Sequence, residues 1–185
     1  IMLATYFGPV RHLDLAAGSG CAALHVDLVQ GRKQLEAVLG VLPPRMALSL
    51  GLVAGRNIWK TEYARALPAV ERAGAALGSD RVLLGSSCSL LHCPVDVAGE
   101  TALPGHIRNR MAFAVQKCSE LSDLRGIFER KEQTLLDENT AVLQAALAHP
   151  DSRVEAVRER AASVTPDMLS RRRPCSGRRD AQKWL

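Results

Sequence analysis

The stretch RVLLGSSCSLLHCPVD, from Arg81 to Asp96, decides how the rest of this chain is interpreted. It begins with the apolar run Val82-Leu83-Leu84, breaks at Gly85, and then presents small polar and metal-ligand side chains. These side chains belong to Ser86, Ser87, Cys88, Ser89, His92 and Cys93. An apolar run that ends this abruptly is typical of a buried parallel strand. In α/β barrels the loops after such strands line the active-site face, so the stretch predicts a strand that ends at a functional surface.

Strand-like and helix-like segments alternate along the first half of the chain. The strands are predicted at roughly residues 1–7, 22–29, 46–53 and 81–89. The helices between them are predicted at roughly residues 10–20, 32–42 and 62–77. Thr61 is expected to cap the third helix and Gly78 to end it. Regular alternation of this kind predicts right-handed βαβ units and therefore parallel strands.

After Asp96 the pattern becomes helical and then fades. Helices are predicted at about residues 106–128, 129–148 and 152–164. The first is amphipathic through Ile107, Met111, Ala114, Val115, Cys118 and Leu121. Beyond Pro166 lies a basic tail with Arg171, Arg172, Arg173, Arg178, Arg179 and Lys183. We interpret the tail as a solvated linker, with phosphate or nucleic-acid binding as the alternative.

The composition is that of a globular protein. The 185 residues are 47% hydrophobic and 23% charged, which suffices for one domain with a sizeable core. No apolar run approaches the roughly 20 residues that cross a bilayer, so no membrane partner is expected. The net charge of +5 lies mostly in the tail, so no nucleic-acid partner is expected of the globular part.

The two remaining compositional signals concern the cysteines and the first residues. The cysteines are Cys21, Cys88, Cys93, Cys118 and Cys175. Their number is odd and they show no C-x-x-C spacing, which predicts a reduced, cytoplasmic protein. Ile1-Met2-Leu3 lacks the charged flank of a signal peptide and enters an apolar strand directly. We expect the chain to be part of a longer one.

Three motifs, in this order and spacing, resemble one known family. They are LHVDLV (24–29), GLVAGRNIWKTEY (51–63) and SSCSLLHCPVDVAGET (86–101), supported by RMAFAVQKCSEL (110–121). Together they are similar to the amino-terminal barrel of cobalamin-independent methionine synthase, also called 5-methyltetrahydropteroyltriglutamate–homocysteine methyltransferase. The resemblance covers about residues 5–183.

The resemblance implies an α/β fold of a particular kind: part of a (β/α)8 TIM barrel with four parallel strands, outer helices and a helical C-terminal extension. Residues 1–128 would be the last four β/α units, 129–165 the helical extension and 166–185 a basic linker between barrels. The first and fourth strands would then present unpaired edges. We expect an apolar inner barrel face made by Leu24, Val26, Leu48, Leu50, Val82 and Leu84.

The family is a methyltransferase, so the resemblance also implies an activity. The methyl group moves from 5-methyltetrahydropteroyltri-L-glutamate to L-homocysteine, whose thiol is activated by zinc. The zinc ligands, the homocysteine site and the proton-donating histidine belong to the family's second barrel. Residues that hold the polyglutamate tail lie in early strands of the first. The resemblance therefore assigns no catalytic or metal residue to this chain, and no cofactor is expected in it. The implied partners are methyltetrahydrofolate polyglutamate, homocysteine and the missing barrel halves.

Two residues of the deciding stretch nevertheless need a separate interpretation. Zinc takes three or four convergent nitrogen or sulfur ligands, and Cys88 with His92 could supply two. His25 or Cys93 could be a third. The alternative, which we favour, is that Cys88 is a small buried apolar residue and His92 is hydrogen-bonded within its loop.

Polar residues at the other strand ends are candidates for an inter-barrel face. Arg56, Asn57, Ser89 and His92 would lie beside the folate, with Trp59 in the same loop. In the structural interpretation, Asn57 turns the chain and Trp59 packs under the next helix. Asp27 is expected to accept backbone N–H groups from a neighbouring loop.

Three functional hypotheses remain open on the sequence alone. The first is a piece of the methyltransferase that supports the folate-side barrel and is inactive alone. The second is a non-catalytic, degenerate scaffold or interaction module. The third and weakest is a stand-alone zinc-thiol methyltransferase that uses Cys88 and His92.

Overall fold

The computed structural model describes residues 1–152, 154–170, 177, 180, 182 and 183. The chain divides into two compact units, residues 1–146 and 147–185. Within the described residues, no helix has both the length and the apolar character that a membrane crossing requires. The predicted division at residues 128 and 165 stays a prediction.

Strands and helices alternate as the sequence predicts. The strands are β1 (Met2–Ala4), β2 (Ala23–Asp27), β3 (Ala47–Val53) and β4 (Val82–Ser86). The helices are α1 (Leu13–Ala17), α2 (Leu35–Val41), α3 (Tyr63–Leu77), α4 (Gly105–Arg108), α5 (Ala114–Arg130), α6 (Gln133–Ala148), α7 (Glu155–Ala162) and α8 (Pro166–Leu169).

The four strands form one parallel sheet in the order β1-β2-β3-β4. Leu24 of β2 pairs with Leu48 of β3, which in turn pairs with Val82 of β4. Helices connect each of these four strands to the next, as parallel pairing requires. The prediction of an α/β fold with four adjacent parallel strands is confirmed, and it is consistent with part of a TIM-like barrel.

The apolar core lies between the sheet and the helices. Its buried members include Leu24, Val26, Leu28, Val38, Leu48, Leu50, Leu52, Leu67, Val70, Ala73, Leu124 and Ile127. The expectation of an apolar inner face is therefore wrong. Leu24, Val26, Leu48 and Leu50 are fully buried in the cluster that includes α2, α3 and α5, and Val82 and Leu84 pack against it.

The opposite, inner face of the sheet carries small and polar residues at its centre, together with Leu83, which pairs with Ser49. His25 and Ser49 alternate with the core residues of their strands and share a hydrogen bond of 2.8 Å. Gly51 and Gly85 lie beside the His25 ring. The strands carry few charges on either face, so the sequence pattern did not distinguish the helix side from the inner side.

The predicted helix over residues 106–128 is broken in two. Residues 109–113 leave the helix because Trp59 forms an antiparallel bridge with Met111, and the Ala112 N–H donates to the Ile58 carbonyl at 2.8 Å. These contacts join segments far apart in sequence, which helical periodicity alone does not reveal. The helix predicted at residues 129–148 begins later than expected, at Gln133. Lys131 interrupts the helical backbone because it adopts a left-handed conformation with φ of 59°.

The start of α3 also differs from expectation. Glu62 occupies the N-cap position and makes no side-chain cap bond. The Tyr63 N–H donates instead to Asn139 Oδ1 at 3.0 Å. Thr61, the expected cap, uses its hydroxyl to bind Glu120. Gly78 ends the helix with a φ of +82°, as predicted.

The described residues of the second unit contain α7 and α8, which are exposed along their whole length. The helix predicted at residues 152–164 is thus confirmed over 155–162. Arg171, Arg172, Arg173, Arg178, Arg179 and Cys175 lie outside the described residues. The interpretation of the basic tail stays a prediction.

Gly51 allows a test of the sheet packing. A Cβ atom there would lie 2.9 Å from the Val26 carbonyl oxygen and 3.0 Å from the Ser87 Cα. We expect Gly51→Ala to lower the free energy of unfolding by about 2 kcal/mol in denaturant titrations, because backbone must move. Gly40→Ala is the matched control, since a Cβ there meets no atom within 4 Å. It should leave stability unchanged or raise it by up to about 1 kcal/mol. Equal effects of the two variants would contradict this packing.

Candidate functional site

The loops after the strands converge at the carboxyl edge of the sheet. The Phe7 ring, just after β1, lies 6.4 Å from the His92 ring in the loop after β4. The Arg56 guanidinium, in the loop after β3, lies 4.9 Å from the centre of the Phe7 ring. Tyr6 packs at 6.0 Å from Phe7. We call Tyr6, Phe7, Arg56 and His92 the mouth cluster, because they bring three strand ends together.

The mouth cluster is accessible. Phe7 keeps 55% of its surface exposed and Tyr6 keeps 47%. Phe7 also has a φ of +67°, a left-handed conformation that costs a non-glycine residue about 1–2 kcal/mol. A cation beside an exposed aromatic ring can bind planar or anionic groups. The arrangement is therefore suited to recognition.

Asp27 fixes the backbone beneath this cluster, as the sequence predicts. Its carboxylate is buried and accepts hydrogen bonds from the N–H groups of Gly8, Val29 and Gln30 at 3.2, 2.8 and 3.0 Å. The bond to Gly8 ties the segment after β1 to the end of β2. Asp27 is thus a structural residue that positions Phe7.

His25 lies on the inner face, just below the mouth. Its Nδ1 is 2.8 Å from Ser49 Oγ, and its ring meets the Tyr6 ring edge-on at 5.7 Å. Burial lowers the pKa of His25, although the nearby Ser87 backbone and the Asp27 carboxylate act in the opposite direction. The Nε2 atom is buried and makes no well-formed hydrogen bond to any described residue. Burial therefore favours the neutral imidazole at this position.

The loop after β3 is shaped by close contacts with the loop after β4. A Cβ at Gly55 would lie 2.6 Å from the Cys88 carbonyl oxygen, so only glycine fits. The Cys93 Sγ lies 3.2 Å from the Gly55 carbonyl oxygen and 3.3 Å from that of Asn57. Burial raises the pKa of Cys93, which keeps the thiol protonated as a donor. Both cysteines of the deciding stretch thus act in packing this loop.

Two buried charged residues of α5 hold the same loop from the other side. Lys117 is fully buried, and its Nζ donates to Asn57 Oδ1 at 3.3 Å and to the Trp59 carbonyl at 3.0 Å. Glu120 accepts from the Thr61 N–H at 2.9 Å and from its hydroxyl at 2.8 Å. Burial lowers the pKa of Lys117 and raises that of Glu120, and each partly offsets the other's shift.

The sequence pattern did not predict this buried pair. Val115 and Cys118 are predicted on the apolar face of the helix, yet both are exposed. The buried face carries Lys117, Glu120, Leu124 and Ile127. The sequence does contain a signal for this buried face, because Lys117 and Glu120 lie at helical spacing from the apolar residues Leu124 and Ile127.

Of the candidate inter-barrel residues, Arg56 and His92 each lie beside the Phe7 ring. The side-chain oxygens of Asn57 and Ser89 instead accept from backbone N–H groups two residues on, at 3.1 Å from Trp59 and 3.3 Å from Leu91. Asn57 turns the chain, as the structural interpretation requires. Trp59 remains 40% exposed, with the Arg110 guanidinium 4.6 Å from its ring centre.

The metal candidates do not converge. Cys88 is buried, and its Sγ lies 3.7 Å from the Ser89 carbonyl, whereas the His92 ring contacts Phe7. In the part of the chain that the structure describes, Cys88, Cys93, His25 and His92 belong to no group of three ligand atoms close enough to share an ion. These residues therefore do not fit a zinc centre.

Comparisons with known proteins agree with the family resemblance of the sequence motifs. Residues 1–78 match the family model described as cobalamin-independent synthase, N-terminal domain. The 5-methyltetrahydropteroyltriglutamate–homocysteine methyltransferase of Syntrophotalea carbinolica is 44% identical over 191 residues, covering 100% of this chain and 25% of the relative. That of Parvibaculum lavamentivorans is 42% identical over 188 residues, covering 99% and 25%. A probable enzyme of this name from Schizosaccharomyces pombe is 39% identical over 178 residues, covering 94% and 23%. The chain spans about a quarter of the length of these relatives.

The buried imidazole predicts a pH dependence of stability. Because burial lowers the pKa of His25, the unfolded chain binds a proton more readily than the folded chain. The free energy of unfolding should therefore fall as pH drops below about 6.5. In denaturant titrations at pH 7.5 and 5.5, His25→Gln should reduce this fall by about 1 kcal/mol. His12→Gln, at an exposed position, is the control and should leave the fall unchanged.

The Lys117 contacts predict a loss of both stability and loop order. Lys117→Met leaves the Trp59 carbonyl and Glu120 without this cation, so the free energy of unfolding should fall by about 3 kcal/mol. Hydrogen exchange at the Lys60 and Thr61 amides should accelerate. Lys33→Met, an exposed control, should change stability by less than about 0.5 kcal/mol. Unchanged exchange in Lys117→Met would show that the lysine does not hold the loop.

Proposed function

Because the chain belongs to the cobalamin-independent methionine synthase family, we propose that it serves in methyl transfer from 5-methyltetrahydropteroyltri-L-glutamate to L-homocysteine. Its own contribution is to support the folate-side barrel as four β/α units. Sequence identity of 44% across its whole length, with one relative named for this reaction, supports the proposal. Since the chain matches a quarter of that relative, we assign turnover to a larger assembly and none to this chain alone.

The mouth cluster is the observation that carries the proposal. Arg56 and His92 lie on the Phe7 ring at the carboxyl edge, where barrel enzymes bind their substrates. A folate combines a planar aromatic system with carboxylates, which suits aromatic rings beside a guanidinium. We propose that Arg56 and His92 form part of the wall beside the folate, whereas Asn57 and Ser89 shape the loops that present them.

We propose that the zinc chemistry takes place outside this chain. The described cysteine and histidine residues of the strand ends form no three-ligand set, so we assign thiol activation to other parts of the larger enzyme. The remaining barrel units and the second barrel would be its structural partners. A reducing, cytoplasmic setting belongs to the same proposal, because Cys21, Cys88, Cys93 and Cys118 are all free thiols.

A segment exchange tests this function. The matching segment of the Syntrophotalea carbinolica enzyme would be replaced by this chain, and methionine formation measured for the hybrid and for the isolated chain. We expect activity in the hybrid and none in the isolated chain. Within the hybrid, Arg56→Ala should raise the KM for the folate about tenfold, the loss of one charge-assisted contact. Arg125→Ala, which removes an exposed pair with Glu129, should not.

Two outcomes would contradict the proposal. One is methionine formation by the isolated chain. The other is one bound zinc per chain, lost in Cys88→Ala, which would favour the stand-alone zinc-thiol methyltransferase. A hybrid that folds and binds homocysteine but shows an unchanged folate KM in Arg56→Ala would remove Arg56 from the folate wall.

A further inference from the structure

A cavity of about 260 Å³ lies between the loop after β2 and the start of α3. Three cations line it: Arg32 follows β2, Lys60 follows β3, and Arg65 lies in the first turn of α3. All the residues that line the cavity fall within 28–66, and none belongs to β1 or β4. The cavity is therefore complete within the middle of this chain.

The three cations lack carboxylate partners. In the part of the chain that the structure describes, none of them forms an ion pair. The nearby Arg72 differs, because it binds the Glu36 carboxylate through two hydrogen bonds of 2.8 and 2.7 Å. Among the described lining residues Glu62 is the one carboxylate, and its side chain makes no cap bond to α3. The cavity wall therefore carries an excess of positive charge.

Two of the cations act on each other. Partial burial lowers the pKa of Arg32, and the positive charge of Arg65 lowers it further, whereas Glu62 acts in the opposite direction. Like charges held near one another are unfavourable without a counter-ion. A cleft lined by one sign of charge also concentrates ions of the other sign. A bound anion would therefore relieve the repulsion in this cavity.

The size and the donor groups of the cavity indicate the kind of anion. Its volume lies below the roughly 300–1,000 Å³ of pockets that enclose drug-sized ligands, so it suits a small ion. One guanidinium already satisfies one carboxylate, as Arg72 does with Glu36. Two guanidinium groups and an ammonium group suit an anion with two charges and three acceptor oxygens. A phosphate group has these properties.

We propose that Arg32, Lys60 and Arg65 form a binding site for a phosphate group, either the free ion or the phosphate of a small ester. The site shares no residue with the mouth cluster. It does not rest on the proposed methyl transfer, because it needs only residues 28–66 and is tested by anion binding rather than by turnover.

Trp59 reports on the site, because it lines the cavity and keeps 40% of its surface exposed. In a Trp184→Phe background it is the sole tryptophan. Its fluorescence would be titrated with inorganic phosphate, and with sodium chloride at matched ionic strength. We expect a saturable change with phosphate, at about millimolar concentration, and none with chloride. Arg32→Gln and Arg65→Gln should each raise the dissociation constant about tenfold.

Two further variants separate a phosphate site from a general effect of charge. Arg45→Gln removes the same charge from an exposed position outside the cavity, so it should leave the affinity unchanged. Glu62→Gln should tighten binding about threefold, because it removes the carboxylate that repels the anion. Titration with glycerol phosphate distinguishes the two sources: tighter binding than that of inorganic phosphate indicates an ester, and equal or weaker binding indicates the free ion.

Three results would overturn the proposal. The first is an equal response to phosphate and to chloride, because screening alone would then explain it. The second is an affinity that neither arginine variant lowers, or that Arg45→Gln lowers as much. The third is an affinity that Glu62→Gln leaves unchanged or weakens, and this variant tests the site even if an arginine variant fails to fold. Arg32 and Arg65 are exposed, so their variants should keep the circular dichroism of the parent chain.

Discussion

The packing of alternate strand residues against the helices is the constraint on which the rest of this structure depends. Leu24, Val26, Leu48 and Leu50 are fully buried on the helix side of the sheet. Because side chains alternate along a strand, burying these residues sends His25 and Ser49 to the opposite face. Parallel pairing brings the carboxyl ends of the strands, and the loops that follow them, to one edge. The direction of the strands thus sets the position of the candidate site, and the choice of buried face sets which side chains lie beneath it.

Buried polar residues convert that edge into a defined surface. The Lys117 ammonium and the Glu120 carboxylate bind backbone groups of residues 59–61, and Asp27 binds the backbone of Gly8. Charged groups in such places are costly unless their hydrogen bonds are complete, so they fix loops in one conformation. These bonds hold the two loops that carry the exposed side chains of Phe7 and Arg56.

Much of the fold, but less of the site, was predictable from the sequence. The run Val82-Leu83-Leu84, with turn residues after it, identified β4, and regular alternation gave the parallel order. The sequence could not predict which face of the sheet meets the helices. Both faces carry few charges, and the alternation of side chains along a strand does not say which of the two faces is buried. Lys117 was missed since lysine is rarely buried without a partner, and its partners are backbone groups of a distant loop. The contact of Phe7 with His92 depends on the paths of the loops after β1 and β4, which pairing patterns do not specify.

The backbone of Phe7 has a consequence for how this chain can evolve. A glycine there would relieve the left-handed conformation and make the fold more robust, yet it would delete the ring that Arg56 and His92 share. Selection for thermal endurance and selection for recognition therefore oppose each other at one codon.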